Sequence, residues 1–277
     1  MNKIPKVIHY VWLGRGKHNE LMDKCIDSWK KYLPDYEIRE WNEDNFDINS
    51  NQYLKEAYEN KKYAFASDYI RLKVLYEYGG IYMDTDVEIL KSLDEFLKLP
   101  AFSGFESNEN IPTGLMASEK KGKWIKCLLE DYDNIHFVKE DGTFDLTTNV
   151  IRITNKTIEK YNFKKNAKYQ DLKDVVFFPS DYFCPKNCVT GLIELTDNSH
   201  AIHHFNGSWL PADEKKFIED RRNLVSKYGL EKGTKIHERR LKVKSIKYLP
   251  KRISNWVRNP KIYLKKLKKK IMGDKGE

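Results

Sequence analysis

The sequence predicts an α/β domain with a mainly parallel sheet, and two observations carry that expectation. Short β-rich runs alternate with helical stretches along most of the chain. Two aspartates, Asp84 and Asp86, stand directly behind one such run, in "GGIYMDTDVEIL". Ligand sites of open α/β sheets lie at the carboxyl ends of strands, so the position itself is informative. At 277 residues, with 40% hydrophobic and 13% aromatic content, the chain is long and apolar enough to bury a sizeable core.

The elements follow in order. "KVIHYVWLG", Lys6 to Gly14, is a strand closed by glycine, with His9 expected to pack inside. From Asn19 to Tyr32 the apolar residues Leu21, Met22, Cys25, Ile26 and Trp29 form a helical stripe that ends before Pro34. "YEIREW" alternates as a second strand, and Tyr53 to Tyr78 reads as one or two helices stopped by Gly79 and Gly80. Ile81 to Met83 is a short strand, and "LDEFL" begins another helix. "PAFSGFE" and "GLMAS" are further strands, followed by a helix around Lys123 to Tyr132. "DVVFFPSDYF" and "SHAIHHF" supply late strands. No internal repeat or low-complexity segment precedes the tail.

Charge separates the tail from the rest. From Ile236 to Glu277 there are 15 basic and 3 acidic residues, whereas the remainder carries 35 basic and 38 acidic. The division expected is therefore residues 1–235 as the folded domain and 236–277 as a basic amphipathic tail. A basic balance confined to a tail argues against nucleic acid as the partner of the folded domain. No apolar run approaches the roughly 20 residues of a membrane-spanning helix, and the amino terminus enters a strand without a signal-peptide core. The expectation is a cytoplasmic protein. Cys25, Cys127, Cys184 and Cys188 are too scattered for a disulfide framework, and "CPKNC" lacks the further ligands a zinc site needs.

In an extended segment, residues two apart share a side, so Asp84 and Asp86 converge on one point. Two carboxylates at one point repel unless a proton or a cation relieves them, and a hard cation such as Mg²⁺ or Mn²⁺ suits oxygen ligands. The helix upstream, "YAFASDYIRLKVLYEY", is apolar on nearly every face and should be buried. Yet it carries Asp68 and Arg71, three apart and on one face. A buried ion pair seldom adds net stability, which favours a functional role. Helix, Gly-Gly turn and strand then bring Asp68, Arg71, Asp84 and Asp86 to one end of the sheet.

"ASDYIRLKVLYEYGGIYMDTDV" resembles the signature of the DXD-containing sugar transferases of glycosyltransferase family 32, to which the glucosyltransferase domains of clostridial toxins are related. "IPKVIHYVWLG" is similar to the family's first strand and "AIHHFNGSW" to its closing motif. The resemblance implies a GT-A fold, a Rossmann-like nucleotide-sugar-binding architecture, with a nucleotide-sugar donor, Mn²⁺ or Mg²⁺, and retention at the anomeric carbon. It makes Val11 and Trp12 candidates for the nucleotide base. Asp68 and Arg71 would bind the donor sugar and its phosphate side, Asp84 the ribose and sugar, and Asp86 the metal. All four carry the catalytic assignment. His203 or His204 would complete the metal shell, and adjacent strand residues point to opposite faces, so one of the two is expected to do so. Ser208 and Trp209 would close over the diphosphate. Thr113 and Gly114 in "IPTGLMAS" are further donor-site candidates, and Thr148 and Asn149 acceptor-side ones.

The tail, "KSIKYLPKRISNWVRNPKIYLKKLKKKI", interleaves apolar and aromatic residues with Lys and Arg, a pattern suited to an anionic membrane surface. The expectation is a retaining hexosyltransferase at the inner face of the cell membrane. It would use UDP-galactose or UDP-glucose and a lipid-linked oligosaccharide acceptor of capsule or O-antigen synthesis. Two other classes share these residues. A metal-dependent phosphohydrolase would use the same carboxylates but leaves Trp12 and Trp209 unexplained. A membrane or nucleic-acid adaptor would act through the tail and make Asp84 and Asp86 dispensable.

Overall fold

The computed structural model describes residues 2–106, 109–207 and 210–243. Ser208, Trp209 and the tail from residue 244 onward lie outside the described residues. The chain parts into two compact units, residues 1–188 with 193–209, and residues 189–192 with 210 onward.

The first unit is α/β. In chain order it contains β1 (Val7–Val11), α1 (Glu20–Tyr32), β2 (Glu37–Trp41), α2 (Gln52–Glu59), α3 (Tyr63–Tyr78), β3 (Gly80–Met83), β4 (Val87–Ile89), β5 (Ala101–Gly104) and β6 (Leu115–Ser118). It continues with α4 (Lys123–Leu129), α5 (Asn149–Tyr161), β7 (Gln170–Asp171), β8 (Val176–Phe178), α6 (Ser180–Phe183) and β9 (Ala201–His203). The main sheet runs β2-β1-β3-β6-β5-β8-β7. β1 is parallel to β2 and β3, β6 is antiparallel to β3 and β5, β8 is parallel to β5, and β7 is antiparallel to β8. Five strands therefore share one direction and two oppose it. β4 and β9 form a separate antiparallel ribbon with Val87 opposite His203.

Most expected elements are present, two of them in altered form, and β4, α5 and β7 are additional to those expected. "LDEFL" forms a 3-10 turn over Asp94–Lys98 instead of starting an α-helix. The stretch expected as one strand through "DVVFFPSDYF" breaks at Pro179, which caps the short helix α6; proline lacks the N–H a continuing strand needs and suits a helix start. The helix α5 begins at the segment that holds Thr148 and Asn149.

Local chemistry explains how α1 and α3 hold the sheet edge. Asn19 caps α1 by accepting from the Met22 N–H at 3.0 Å, and acidic residues in the first turn with lysines in the last complement the helix dipole. From α1, Trp29 Nε1 donates to the Val87 carbonyl at 2.7 Å and Ser28 Oγ accepts from the Ile89 N–H at 2.9 Å, so the helix clamps β4. α3 is buried around much of its circumference, as its apolar faces require. It ends at Gly79 and Gly80, both with positive φ of 69° and 108°. A Cβ there would lie 2.6 Å from the Lys120 nitrogen or 2.5 Å from the Val7 carbonyl oxygen, so this turn needs glycine on both counts.

His9, fully buried on β1, locks the same turn. Trp41 Nε1 donates to His9 Nδ1 at 3.0 Å, which leaves the proton on Nε2 to be donated to the Gly79 carbonyl at 2.8 Å. Burial pushes the imidazole down to about 4, against the opposing pull of the Gly79 hydrogen bond.

The second unit contains α7 (Ala212–Tyr228) and α8 (Leu230–Val243), a helical hairpin in which Phe217 packs edge-on to His237. The change of charge at Ile236 falls within α8.

The His9 environment fixes a pH response. Its folded-state value is depressed, so its stabilisation is complete above the unfolded value near 6.5 and is lost as pH falls toward about 4. Urea melts across this window should show a loss attributable to His9 of about 3 kcal/mol. In His9→Gln that component of the slope should vanish; an unchanged difference curve would exclude His9 as its source.

Candidate functional site

The site is built where β3 leaves the sheet. Asp84, Thr85 and Asp86 form the turn from β3 to β4, closed by the Val87 N–H donating to the Asp84 carbonyl at 3.0 Å. The Asp84 N–H donates to the Gly114 carbonyl at 2.8 Å, which ties the turn to the loop before β6.

Behind the turn, Arg71 joins two carboxylates. Its Nη2 lies 3.0 Å from Asp68 Oδ1 and its Nη1 lies 3.3 Å from Asp84 Oδ1, with side chains 5%, 11% and 26% exposed respectively. Nη1 also donates to the Thr113 carbonyl at 2.7 Å, and the guanidinium lies 4.6 Å over the Tyr82 ring. Tyr82 in turn donates to Asp84 Oδ1 at 2.9 Å. Burial alone would discharge Arg71, but Asp84, Tyr82 and Asp68 outweigh it and keep the cation charged. One guanidinium shared between two acids leaves Asp68 short of compensation: burial raises it to about 7, against the pull of Arg71.

On the ribbon side, Asp86 is held at both carboxylate oxygens and at its carbonyl. Its Oδ1 faces His203 Nε2 at 3.2 Å, its Oδ2 accepts from the Asn206 N–H at 2.8 Å, and its carbonyl accepts from the His204 N–H at 2.9 Å. Burial would raise this carboxyl, but His203 leads the groups that overcome it, and it is held down at about 2. His203 moves oppositely: burial would lower it, and Asp86, Asp84 and Glu106 raise it. Its ring lies between Phe205, stacked at 4.2 Å, and Gly114, where a Cβ would sit 2.9 Å from the ring.

Asp84, Asp86 and His203 each offer a ligand atom within 4.8 Å of the others, and they are the one such group among the described residues. Two carboxylates and an imidazole suit a divalent cation. His203 Nδ1 is buried with no hydrogen-bond partner among the described residues, as a ring awaiting a further contact would be. The residues therefore fit a metal ion.

Several expected residues come together here and others do not. Asp68, Arg71, Thr113, Gly114, Asp84, Asp86 and His203 form one continuous network. His204 does not join it: its ring turns to Glu88 at 2.8 Å, and Glu88 also pairs with Lys24, so His204 is corrected from metal candidate to support of the ribbon. Val11 and Trp12 stand at the carboxyl end of β1, where Trp12 donates to the Gly16 carbonyl and meets His18 edge-on. Asn149 is buried, with its Oδ1 accepting from Tyr132. Sequence reasoning missed Tyr82, although its position two residues before Asp84 on a strand was the available signal. The Asn206 backbone and the Phe205 stack left no comparable signal.

These features define an α/β domain with a candidate divalent-cation site and a buried arginine at the carboxyl edge of its sheet. Residues 19–103 match the family described as the glycosyltransferase sugar-binding region containing a DXD motif. The matched region contains Asp68, Arg71, Asp84 and Asp86. The inositol phosphoceramide mannosyltransferase 3 of Schizosaccharomyces pombe is 32% identical over 124 residues, 42% of this chain and 34% of that protein. An uncharacterized glycosyltransferase, L373, of Acanthamoeba polyphaga mimivirus is 24% identical over 228 residues, 75% of this chain and 84% of that protein. The chain spans about a third of the length of the yeast relatives it matches. Among solved structures, the PaToxG glycosyltransferase aligns with a TM-score of 0.44 and 21% identity, over 57% of this chain and 70% of that one.

The tight seat of His203 gives a direct test. Gly114→Ala should push the imidazole away and weaken Mn²⁺ binding by about tenfold or more, a loss like that from disturbing a ligand's support, with the helical circular-dichroism signal unchanged. Undiminished Mn²⁺ affinity would mean that Gly114 does not set the ring's position.

Proposed function

We propose that the protein is a metal-dependent, retaining GT-A glycosyltransferase that moves a hexose from a nucleotide sugar to a lipid-linked saccharide. The observation that carries this reading is the pairing of a three-ligand cation group with a buried arginine that joins Asp68 to Asp84. A divalent cation held by Asp84, Asp86 and His203, Mn²⁺ for preference with its tolerance of an imidazole, would stabilise charge on the departing diphosphate.

The chain's own groups do the rest. Arg71 fixes both carboxylates in place and adds positive charge where the leaving phosphates gain negative charge. Asp68, oriented by that guanidinium, accepts hydrogen bonds from donor-sugar hydroxyls. Thr113 and Gly114 border the sugar, and their carbonyls are already engaged in holding Arg71 and Asp84. Val11 and Trp12 hold the nucleotide base at the end of β1, and Ser208 and Trp209 close over the diphosphate. The acceptor hydroxyl passes its proton to the departing phosphate oxygen on the same face of the sugar, which retains configuration. A trapped covalent sugar–protein adduct would sink that route.

The donor is UDP-galactose or UDP-glucose in this reading, and the product is a capsule or O-antigen repeat. Relatives named as mannosyltransferases make a mannose donor the competing outcome. The basic segment 236–277 brings the enzyme to the anionic inner face of the membrane and its lipid-linked acceptor. No helix of the described residues is long and apolar enough to cross a membrane.

Thermal melts with UDP-, GDP- and CMP-sugars, with and without Mn²⁺, test the proposal, because a ligand that binds the native state raises its melting temperature. One sugar nucleotide should give a Mn²⁺-dependent rise that Asp86→Ala abolishes. The absence of any metal-dependent rise would argue for a different chemistry at these carboxylates. In the same preparation the full chain should sediment with anionic vesicles at low salt and be released at high salt; equal binding to neutral vesicles would contradict the electrostatic role of the tail.

A further inference from the structure

One buried carboxylate at the sheet edge has no part in the mechanism above. Glu106 lies two residues beyond the end of β5 and is 7% exposed. Its backbone is fixed by a closed turn: its N–H donates to the Asn110 carbonyl, and its carbonyl accepts from the Glu109 N–H, each at 2.9 Å. Glu109 adopts a positive φ of 66° to complete that turn.

Strand parity gives the direction in which Glu106 faces. Along β5 and just past it, Ala101 and Phe105 belong to the core beneath α3, whereas Phe102 belongs to the core on the opposite face of the sheet. Side chains alternate, so Glu106 continues the Phe102 side. That second core includes Val87, Ile89 and Ala201 of the β4–β9 ribbon. Ala201 and His203 are two apart on β9 and share a side, which turns the His203 imidazole toward the same space. The loop that begins at Glu106 ends at Gly114, against the His203 ring. Glu106 and His203 thus converge from the sheet and from the ribbon. The charge of Glu106 is felt at Cys184, where it adds to the burial that holds the thiol far above its usual range.

A ligating imidazole presents one nitrogen to the ion and donates the other N–H to a carboxylate, a carbonyl or water. His203 Nε2 faces Asp86, while Nδ1 is buried without a hydrogen-bond partner among the described residues. We propose that Glu106 is the outer carboxylate of the cation site, a positioning residue that accepts the His203 Nδ1–H through one water and so orients Nε2 toward the ion. Its role is to strengthen cation binding without ligating the ion. This inference rests on the cation reading of Asp84, Asp86 and His203.

The test uses the full chain titrated with Mn²⁺ alone, with free ion followed by electron paramagnetic resonance. Wild type should take up one Mn²⁺, and Asp86→Ala should lose it. Glu106→Gln, which keeps size and removes charge, should bind about ten- to a hundredfold more weakly, in line with the loss of an outer partner. Glu106→Asp should fall between. The histidine nitrogen coupling to bound Mn²⁺ should weaken in Glu106→Gln at saturating metal, a change that a role in folding alone would not produce. Wild-type affinity and unchanged coupling in folded Glu106→Gln would overturn the proposal while leaving the cation site intact. Failure of wild type to bind Mn²⁺ would overturn the cation reading itself. If Glu106→Gln does not fold, Glu106→Asp decides by the same two measurements, and wild-type values in it would count against the proposal.

Discussion

The Arg71 guanidinium is the contact on which the rest of the site depends. A cation this deeply buried is tolerable only if its charge is met, and Asp68, Asp84, Thr113 and the Tyr82 ring meet the charge and the terminal nitrogens, while Nε has no hydrogen-bond partner among the described residues. The reverse also holds. Asp84 and Asp68 can be brought close in a low-dielectric setting because Arg71 lies between them. Removing either acid leaves the cation undercompensated, and removing the cation sets the acids against each other. Such an arrangement gives little net stability, and its persistence fits a demand imposed by what binds there.

A second layer holds that contact in register. α1 clamps β4 through Trp29 and Ser28, and β4 in turn pairs with β9, which carries His203. On the other side His9, Trp41 and the Gly79–Gly80 turn fix where α3 ends and β3 begins. The acid-bearing turn is thus bounded by two rigid anchors. The candidate cation ligands come from the turn after β3 and from β9, so they meet only when the ribbon and the main sheet are both formed. Fixing ligand geometry through distant buried contacts reduces the reorganisation needed when a charged substrate arrives.

Much of this was legible in the sequence because it depends on local rules. The two-residue spacing of Asp84 and Asp86, the three-residue spacing of Asp68 and Arg71 and the double glycine each specify direction without reference to the remainder of the chain. The histidine pair was half legible: alternation showed that one ring would turn away, but the choice of His203 required the register of β9 against β4 and the position of Glu88. Glu106 and Phe205 were hidden because their significance arises from loops meeting across long sequence separations. The reversal of β6 and β7 within the sheet was hidden for the same reason, since strand direction is set by connections that single-strand patterns do not encode. The break at Pro179 was available in the sequence, as proline marks the end of the strand that precedes α6.

In the proposed function, Asp84, Asp86 and His203 hold a divalent cation at the turn that Arg71 supports. Anomalous diffraction from crystals grown with Mn²⁺ and UDP, collected at the manganese edge, measures this most directly. The expected result is one strong peak bound by Asp84, Asp86 and His203, with the diphosphate on its open side and Arg71 still bridging Asp68 and Asp84. A manganese peak bound elsewhere on the chain, or ordered UDP with no manganese at this turn, would contradict it.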